Sequence, residues 1–158
     1  MYLEAEYQSM KEWINRMKDA WKERGVTIMC DGWTNSISHM HIINFLVYCS
    51  KGTVFIKSVD VSSVASRNTD YYLQLLNNIV EEIGEEYVVQ VVTDNEGALK
   101  AAGKKLMEKR PHIYYSSCAA HCLDLCLEDI GKISNVKKVL EDAKMITSFI
   151  YNHISTVN

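Results

Sequence analysis

Two segments of the chain follow one plan, and that repetition restricts the fold more than any other feature. Val26-Thr27-Ile28-Met29-Cys30 closes on Asp31-Gly32, and Val88-Val89-Gln90-Val91-Val92-Thr93 closes on Asp94-Asn95. Each is a short, mostly apolar run ending in one carboxylate, the pattern of a strand buried in a sheet that delivers a polar group at its tip. The two acids stand 63 positions apart, and the intervening residues bring them back together. Residues 41–49 and 53–61 read as two more strands, joined across Ser50-Lys51-Gly52 in a hairpin. Residues 69–83 read as a helix with Tyr72, Leu75, Leu76, Ile79 and Ile83 on one face, closed by Gly84. A helical crossover of that length returns right-handedly and lays 88–93 parallel to 26–31. If those strands are neighbours, Asp31 and Asp94 face each other at one sheet edge, where open α/β sheets place their ligands.

The rest of the chain completes an α/β plan. Met10, Trp13, Ile14, Met17 and Trp21 recur at steps of three or four, so residues 2–24 are expected to be an amphipathic helix ending at Gly25. A helix over 96–109 stops before Pro111, a short strand over 112–116 follows, and helices are expected over 118–129 and 134–152. The expected architecture is a mixed sheet, three antiparallel strands plus a parallel fourth, flanked by helices. Residues 1–25 form the N-terminal helix and 26–158 the body of one structural domain.

Composition excludes several classes. With 47% hydrophobic and 23% charged residues and one proline, the chain can fill a core and is not a disordered tract. No uncharged apolar run approaches the roughly 18 residues of a membrane span, and the N-terminus lacks the basic-then-apolar plan of a signal peptide. A soluble, intracellular protein without a membrane partner is expected. A net charge of −3 argues against strong autonomous binding to duplex DNA, which needs many cations on phosphates. Five cysteines, an odd number without a scaffold spacing, read as reduced thiols.

Paired strand-end carboxylates repel unless a cation lies between them. Mg²⁺ suits such a site because it takes one or two protein carboxylates and leaves its other positions to water and phosphate oxygens. The bland alternative is that each acid caps the element after it, Asp94 especially. Trp33 could wall the site or stack on a base, although core packing is the commoner use. Lys100, Lys104, Lys105 and Lys109, with Arg110, make a basic edge that could follow a phosphate backbone or simply be solvated. Cys118, Cys122 and Cys126 recur at helical spacing, but a structural zinc site needs four ligands and no second pair is spaced for it. Cys122 and Cys126 therefore read as small core residues. His39, His41, His112 and His153 show no pairing.

Three words occur in order: Cys30-Asp31-Gly32-Trp33-Thr34, Val92-Thr93-Asp94-Asn95 and Cys118-Ala119-Ala120-His121-Cys122-Leu123-Asp124-Leu125. Together with the tail Ile146-Thr147-Ser148-Phe149-Ile150-Tyr151-Asn152-His153, they resemble the central part of hAT-type DNA transposases, in particular the plant lineage and its domesticated relatives. The resemblance runs over nearly the whole chain. It implies an RNase H-like catalytic domain whose first two acids match Asp31 and Asp94 and which cuts and joins DNA with Mg²⁺ or Mn²⁺. The third acid of such a site, a glutamate, would lie beyond a helical insertion downstream of these residues. The isolated chain is thus expected to hold metal weakly and not to cleave. Cys118 and His121 would form a motif near the active centre, with Asn95 and Trp33, contacting DNA or supporting the carboxylates. DNA would be reached through a larger, nuclear parent protein. Glu96-Gly97 departs from the small residues usual in the family after Thr-Asp-Asn; Glu96 either disturbs metal binding as a third nearby carboxylate or favours the positive end of its helix, the second being the expected role.

Two competing readings remain. One is a domesticated, non-catalytic interaction module with protein partners or a second copy of itself. The other is a stand-alone nuclease that would draw its extra acid from Asp124 or Glu128.

Overall fold

The computed structural model describes residues 2–152, which gather into two compact units, Met1–Cys118 and Ala119–Asn158. In the first unit, helix α1 (Tyr2–Arg24) presents Met17, Ala20 and Trp21 as a buried stripe. Only the second half of the amphipathic pattern packs; from Tyr2 to Trp13 every residue is exposed. The helix ends as its sequence requires, with Gly25 left-handed at φ +72° and its N–H bonded to the Trp21 carbonyl at 2.9 Å.

Strands β1 (Val26–Thr34), β2 (His41–Cys49) and β3 (Gly52–Asp60) form an antiparallel meander, with Ser50 and Lys51 as the β2–β3 turn. Helix α2 (Thr69–Ile83) starts at Asn68, whose side-chain oxygen accepts the Tyr71 N–H at 3.0 Å. It crosses over to β4 (Val88–Thr93), which pairs parallel to β1. Helix α3 (Gly97–Lys109) makes the second crossover, to β5 (Tyr114–Ser117), parallel to β4. The order is β3-β2-β1-β4-β5, a mixed, open, five-stranded sheet of RNase H-like arrangement. Compactness divides the chain after Cys118, whereas the helix pattern had placed the only internal boundary after residue 25.

One face of the sheet builds the core. Val26, Ile28 and Cys30 of β1 alternate inward with Thr27, Met29 and Asp31 on the other side, and Ile43, Phe45 and Val47 of β2 keep the same step. These join Tyr72, Leu76, Ile79 and Val80 of α2 and Leu99 and Leu106 of α3 in one buried cluster. Each such side chain contributes about 1.5–3 kcal/mol on burial.

Two boundaries differ from expectation in ways that matter for the site. Strand β1 does not stop at Asp31; it continues to Thr34 because β2 goes on pairing with it up to Thr34↔His41, while β4 ends at Thr93. Helix α4 (Ala119–Gly131) starts one residue late, because the Cys118 N–H is given to the Thr93 carbonyl at 2.7 Å and prolongs the β4–β5 pairing.

The second unit is a helical hairpin, α4 followed by α5 (Ser134–Asn152). Lys132 in the link pairs with Glu128 and Asp129, both at 3.0 Å. No described residue of either helix is buried, and Leu123, Leu127, Phe149 and Ile150 are exposed. Among the described residues, no helix is long and apolar enough to cross a membrane.

Candidate functional site

The parallel pairing of β1 with β4 ends at Cys30↔Thr93, so Asp31 and Asp94 occupy the next position on neighbouring strands. Thr93 anchors this point. It is fully buried, and its hydroxyl bonds the Asp94 carbonyl at 2.9 Å and lies 3.2 Å from the Tyr115 hydroxyl. Asp94 uses one oxygen locally: Oδ1 accepts the Glu96 N–H at 2.9 Å, closing the turn before α3. Its Oδ2 lies over Gly32, 3.3 Å from where a Cβ on that residue would sit. The same point is 3.7 Å from His41 Nε2, so a glycine here leaves a gap bordered by a carboxylate and an imidazole.

Asp31 leaves β1 by the other side. Alternation along the strand points its Cβ away from that of Cys30, and the observed sequence of buried Cys30 and exposed Asp31 agrees. Its cross-strand partner is Asn44, whose side-chain oxygen accepts from the Ser58 hydroxyl at 2.6 Å. The two acids therefore both follow the last β1–β4 pair, while the Asp94 carboxylate stands on the Gly32 side. Trp33 shares Asp31's side. At 43% exposure it is no core residue, because β1 there has outrun its pairing with β4.

Glu96 does not serve as a capping side chain for α3. Its carboxylate instead accepts the hydroxyl of Tyr72, at 2.9 and 3.1 Å, from the fully buried ring on α2. Burial and this bond push the Tyr72 phenol well above its ordinary value. The Cys30 thiol is pushed up likewise, by burial first and then by Asp94, Asp31 and Glu96 in that order. A neutral thiol under three carboxylates is a poor nucleophile and a poor metal ligand.

The remaining predicted residues fall on several elements. Asn95 is half-buried in the turn beside Asp94. Cys118 belongs to the sheet unit, tied to Thr93, whereas His121 lies on α4 in the hairpin unit. Cys122 and Cys126 are exposed rather than core, since a two-helix hairpin has too little interior to enclose them. Glu128 of the stand-alone nuclease reading is engaged with Lys132, one turn away, and Asp124 is exposed. Lys100, Lys104, Lys105 and Lys109 are all exposed, but Lys105 is paired with Asp70 at 2.9 Å. Arg110 is not part of that edge. It is buried, bonded to Asn77 and paired with Glu81 at 3.1 Å and Glu85 at 2.9 Å.

Two residues at the site were not singled out from sequence. Tyr72 was read as one more apolar face position, which it is apart from its hydroxyl. His41 opens a strand and had no partner at helical or metal-ligand spacing; only the β1–β2 register brings it to Gly32.

The resemblance implies a divalent cation. The Asp94 carboxylate, with its Oδ2 beside a gap that a Cβ would narrow, fits a cation carried on one protein carboxylate and several waters. A closed cage does not fit: among the described residues, no three His, Cys, Asp or Glu side chains converge.

Comparison with known proteins supplies the family. A compost-derived RNase H1, LC11, is 15% identical and superposes with a TM-score of 0.35, over 60% of this chain and 84% of that one. Saccharomyces cerevisiae Dom34, a translation termination-like factor, is 11% identical with a TM-score of 0.40, over 94% of this chain and 46% of that one. Superpositions this loose carry no functional argument, and the fold assignment rests on the strand order. No curated protein matches the chain. The family model described as a domain of unknown function, DUF659, matches residues 1–146, and the chain belongs to the DUF659 family.

Proposed function

We infer that this chain is the two-carboxylate part of a transposase-like core for metal-dependent cleavage and transfer of DNA strands. What carries the reading is the register: the last β1–β4 pair, Cys30↔Thr93, is followed at once by Asp31 on one side and Asp94 on the other. The DUF659 match supports it, as a domain found in hAT-like transposase families. In this reading Asp94 would hold the cation through Oδ2, and Asp31, beside the last β1–β4 pair, would supply the second carboxylate. The bound ion would supply the charge that activates a water or a 3′-hydroxyl and steadies the leaving oxygen. The protein's own part is positional. The Glu96 N–H fixes the Asp94 carboxylate, the buried Thr93 hydroxyl bonds the Asp94 backbone carbonyl, and the Tyr72 hydroxyl bonds the Glu96 carboxylate. The third acid is expected from outside these residues, within a larger nuclear protein that also supplies the grip on DNA.

The test is thermal unfolding during Mg²⁺ and Mn²⁺ titration, with a nicking assay on supercoiled DNA. A cation at about 100 times its dissociation constant stabilises by about 2.7 kcal/mol. The expected result is a rise in Tm that Asp31→Asn and Asp94→Asn each reduce, and no nicking by the 158 residues alone. A shift indifferent to both substitutions overturns the reading.

A second reading has one specific observation in its favour. The pleat sends Asp31 and the Asp94 carboxylate to opposite sides of β1, as suits a domesticated, non-catalytic interaction module that keeps the fold. It predicts no cation-dependent rise in Tm at all.

A further inference from the structure

The sequence treats His41 as an isolated histidine, yet the fold gives it a fixed place beside Asp94. It opens β2 opposite Thr34, the last residue of β1. Its backbone N–H bonds the Ser62 hydroxyl at 2.8 Å, and its carbonyl accepts the Val61 N–H at 2.9 Å. Ser62 is in turn bonded to the Asp60 carboxylate through both its hydroxyl and its N–H. The ring is held as well, with Nδ1 at 2.7 Å from the Thr34 hydroxyl. That leaves Nε2 as the nitrogen facing the gap at Gly32, where Asp94 Oδ2 also points. An imidazole anchored at one nitrogen and open at the other, next to a carboxylate oxygen, is how proteins present histidine to metals.

We propose that His41 Nε2 and Asp94 Oδ2 form a mixed nitrogen–oxygen pair, across the Cβ-less Gly32, that takes a first-row transition-metal ion in preference to Mg²⁺. The inference keeps Asp94 as the cation ligand of the proposed function and puts His41, instead of Asp31, beside it. Magnesium demands hard oxygen ligands, whereas imidazole favours Co²⁺, Ni²⁺ and Zn²⁺. In the bound form Nδ1–H donates to Thr34 Oγ1, which fixes the tautomer with its Nε2 lone pair on the gap. Both atoms lie within 4 Å of one point. Bonds of about 2.1 Å require both side chains to rotate toward an ion seated outward of that point, clear of the Gly32 backbone. Water fills the other positions, because no third protein ligand converges among the described residues.

The probe is Co²⁺ titrated into the 158-residue chain. It is followed by proton NMR for paramagnetically shifted imidazole resonances and by competition with Mg²⁺. The expected result is a shifted set from one histidine, a Co²⁺ affinity at least about tenfold above that for Mg²⁺, and an affinity loss of about tenfold or more in His41→Ala and in Asp94→Asn but not in Asp31→Asn. The NMR signature needs no substitution, so a poorly folded variant does not leave the question open. Binding of Co²⁺ without shifted imidazole protons, lost equally in Asp31→Asn and Asp94→Asn, overturns the proposal while leaving the shared-carboxylate reading intact. Shifted imidazole protons with an indifferent Asp31→Asn support it and count against that reading. Absence of Co²⁺ binding up to millimolar concentration overturns the proposal.

Discussion

Replacing Arg110 tests whether the buried face or the basic edge accounts for this residue. Its side chain is 6% exposed and reaches three partners: Asn77 through Nη1, Glu81 through Nη2 and Glu85 through Nε. The two carboxylates are 63% and 43% exposed, so they return to water when the guanidinium goes, and each ion pair is worth only about 0–1 kcal/mol. Asn77 is different. It is 8% exposed on α2, and its amide oxygen would be left buried without its partner, at about 1–3 kcal/mol. The arginine stem adds about 1 kcal/mol of lost apolar burial. Arg110→Ala is therefore expected to destabilise the chain by about 2–6 kcal/mol in urea unfolding, with no requirement for nucleic acid. Combining Arg110→Met with Asn77→Leu removes both polar groups at once and should recover most of that loss. A change below about 0.5 kcal/mol for Arg110→Ala, the size usual for surface substitutions, would refute the reasoning and return Arg110 to the solvated edge.

Two further predictions concern pH. The Cys30 thiol, held by burial and neighbouring acids above its ordinary value of 9.0, contributes stability that is complete below that value and is lost as pH rises past it, because only the unfolded thiol ionises. Urea unfolding from neutral to alkaline pH should show this decline, shallower in Cys30→Ala, while alkylation in the folded state should label exposed Cys122 and Cys126 and spare Cys30. A slope that Cys30→Ala leaves untouched contradicts the assignment. Asp60 is held below its ordinary 3.8 by the Ser62 hydroxyl and then by the Ser62 N–H. Its contribution is present above 3.8 and disappears as pH falls below it, so Ser62→Ala should flatten the acid limb of the Tm profile.

Much of the fold could be read from local pattern. Alternation and three-to-four-residue spacing marked every long element except β1 within a residue or two, and the crossover helix made β4 parallel to β1. The limits of that reading lie where one strand's neighbours change. Strand β1 carries on past Asp31 because β2, not β4, supports it there. No local signal reports which partner strand ends first. The same cause hid His41, whose relevance comes from its register opposite Thr34. Cys122 and Cys126 have core composition and core spacing, but burial needs a third packing surface, which the α4–α5 hairpin does not itself contain.

Periodicity and chain order by themselves determined the three antiparallel strands, the helical crossover to a parallel fourth and the neighbouring positions of Asp31 and Asp94, because these follow from backbone geometry repeated along the chain; the fifth strand's place in the sheet came only from its pairing with β4. Tertiary structure alone decided which way those carboxylates point and what stands beside them. Pleat parity sends Asp31 outward, a turn closed on the Glu96 N–H aims Asp94 over Gly32, and strand register brings His41 to the same gap. Side-chain direction at a sheet edge depends on partners that are distant in sequence, and no local spacing encodes them.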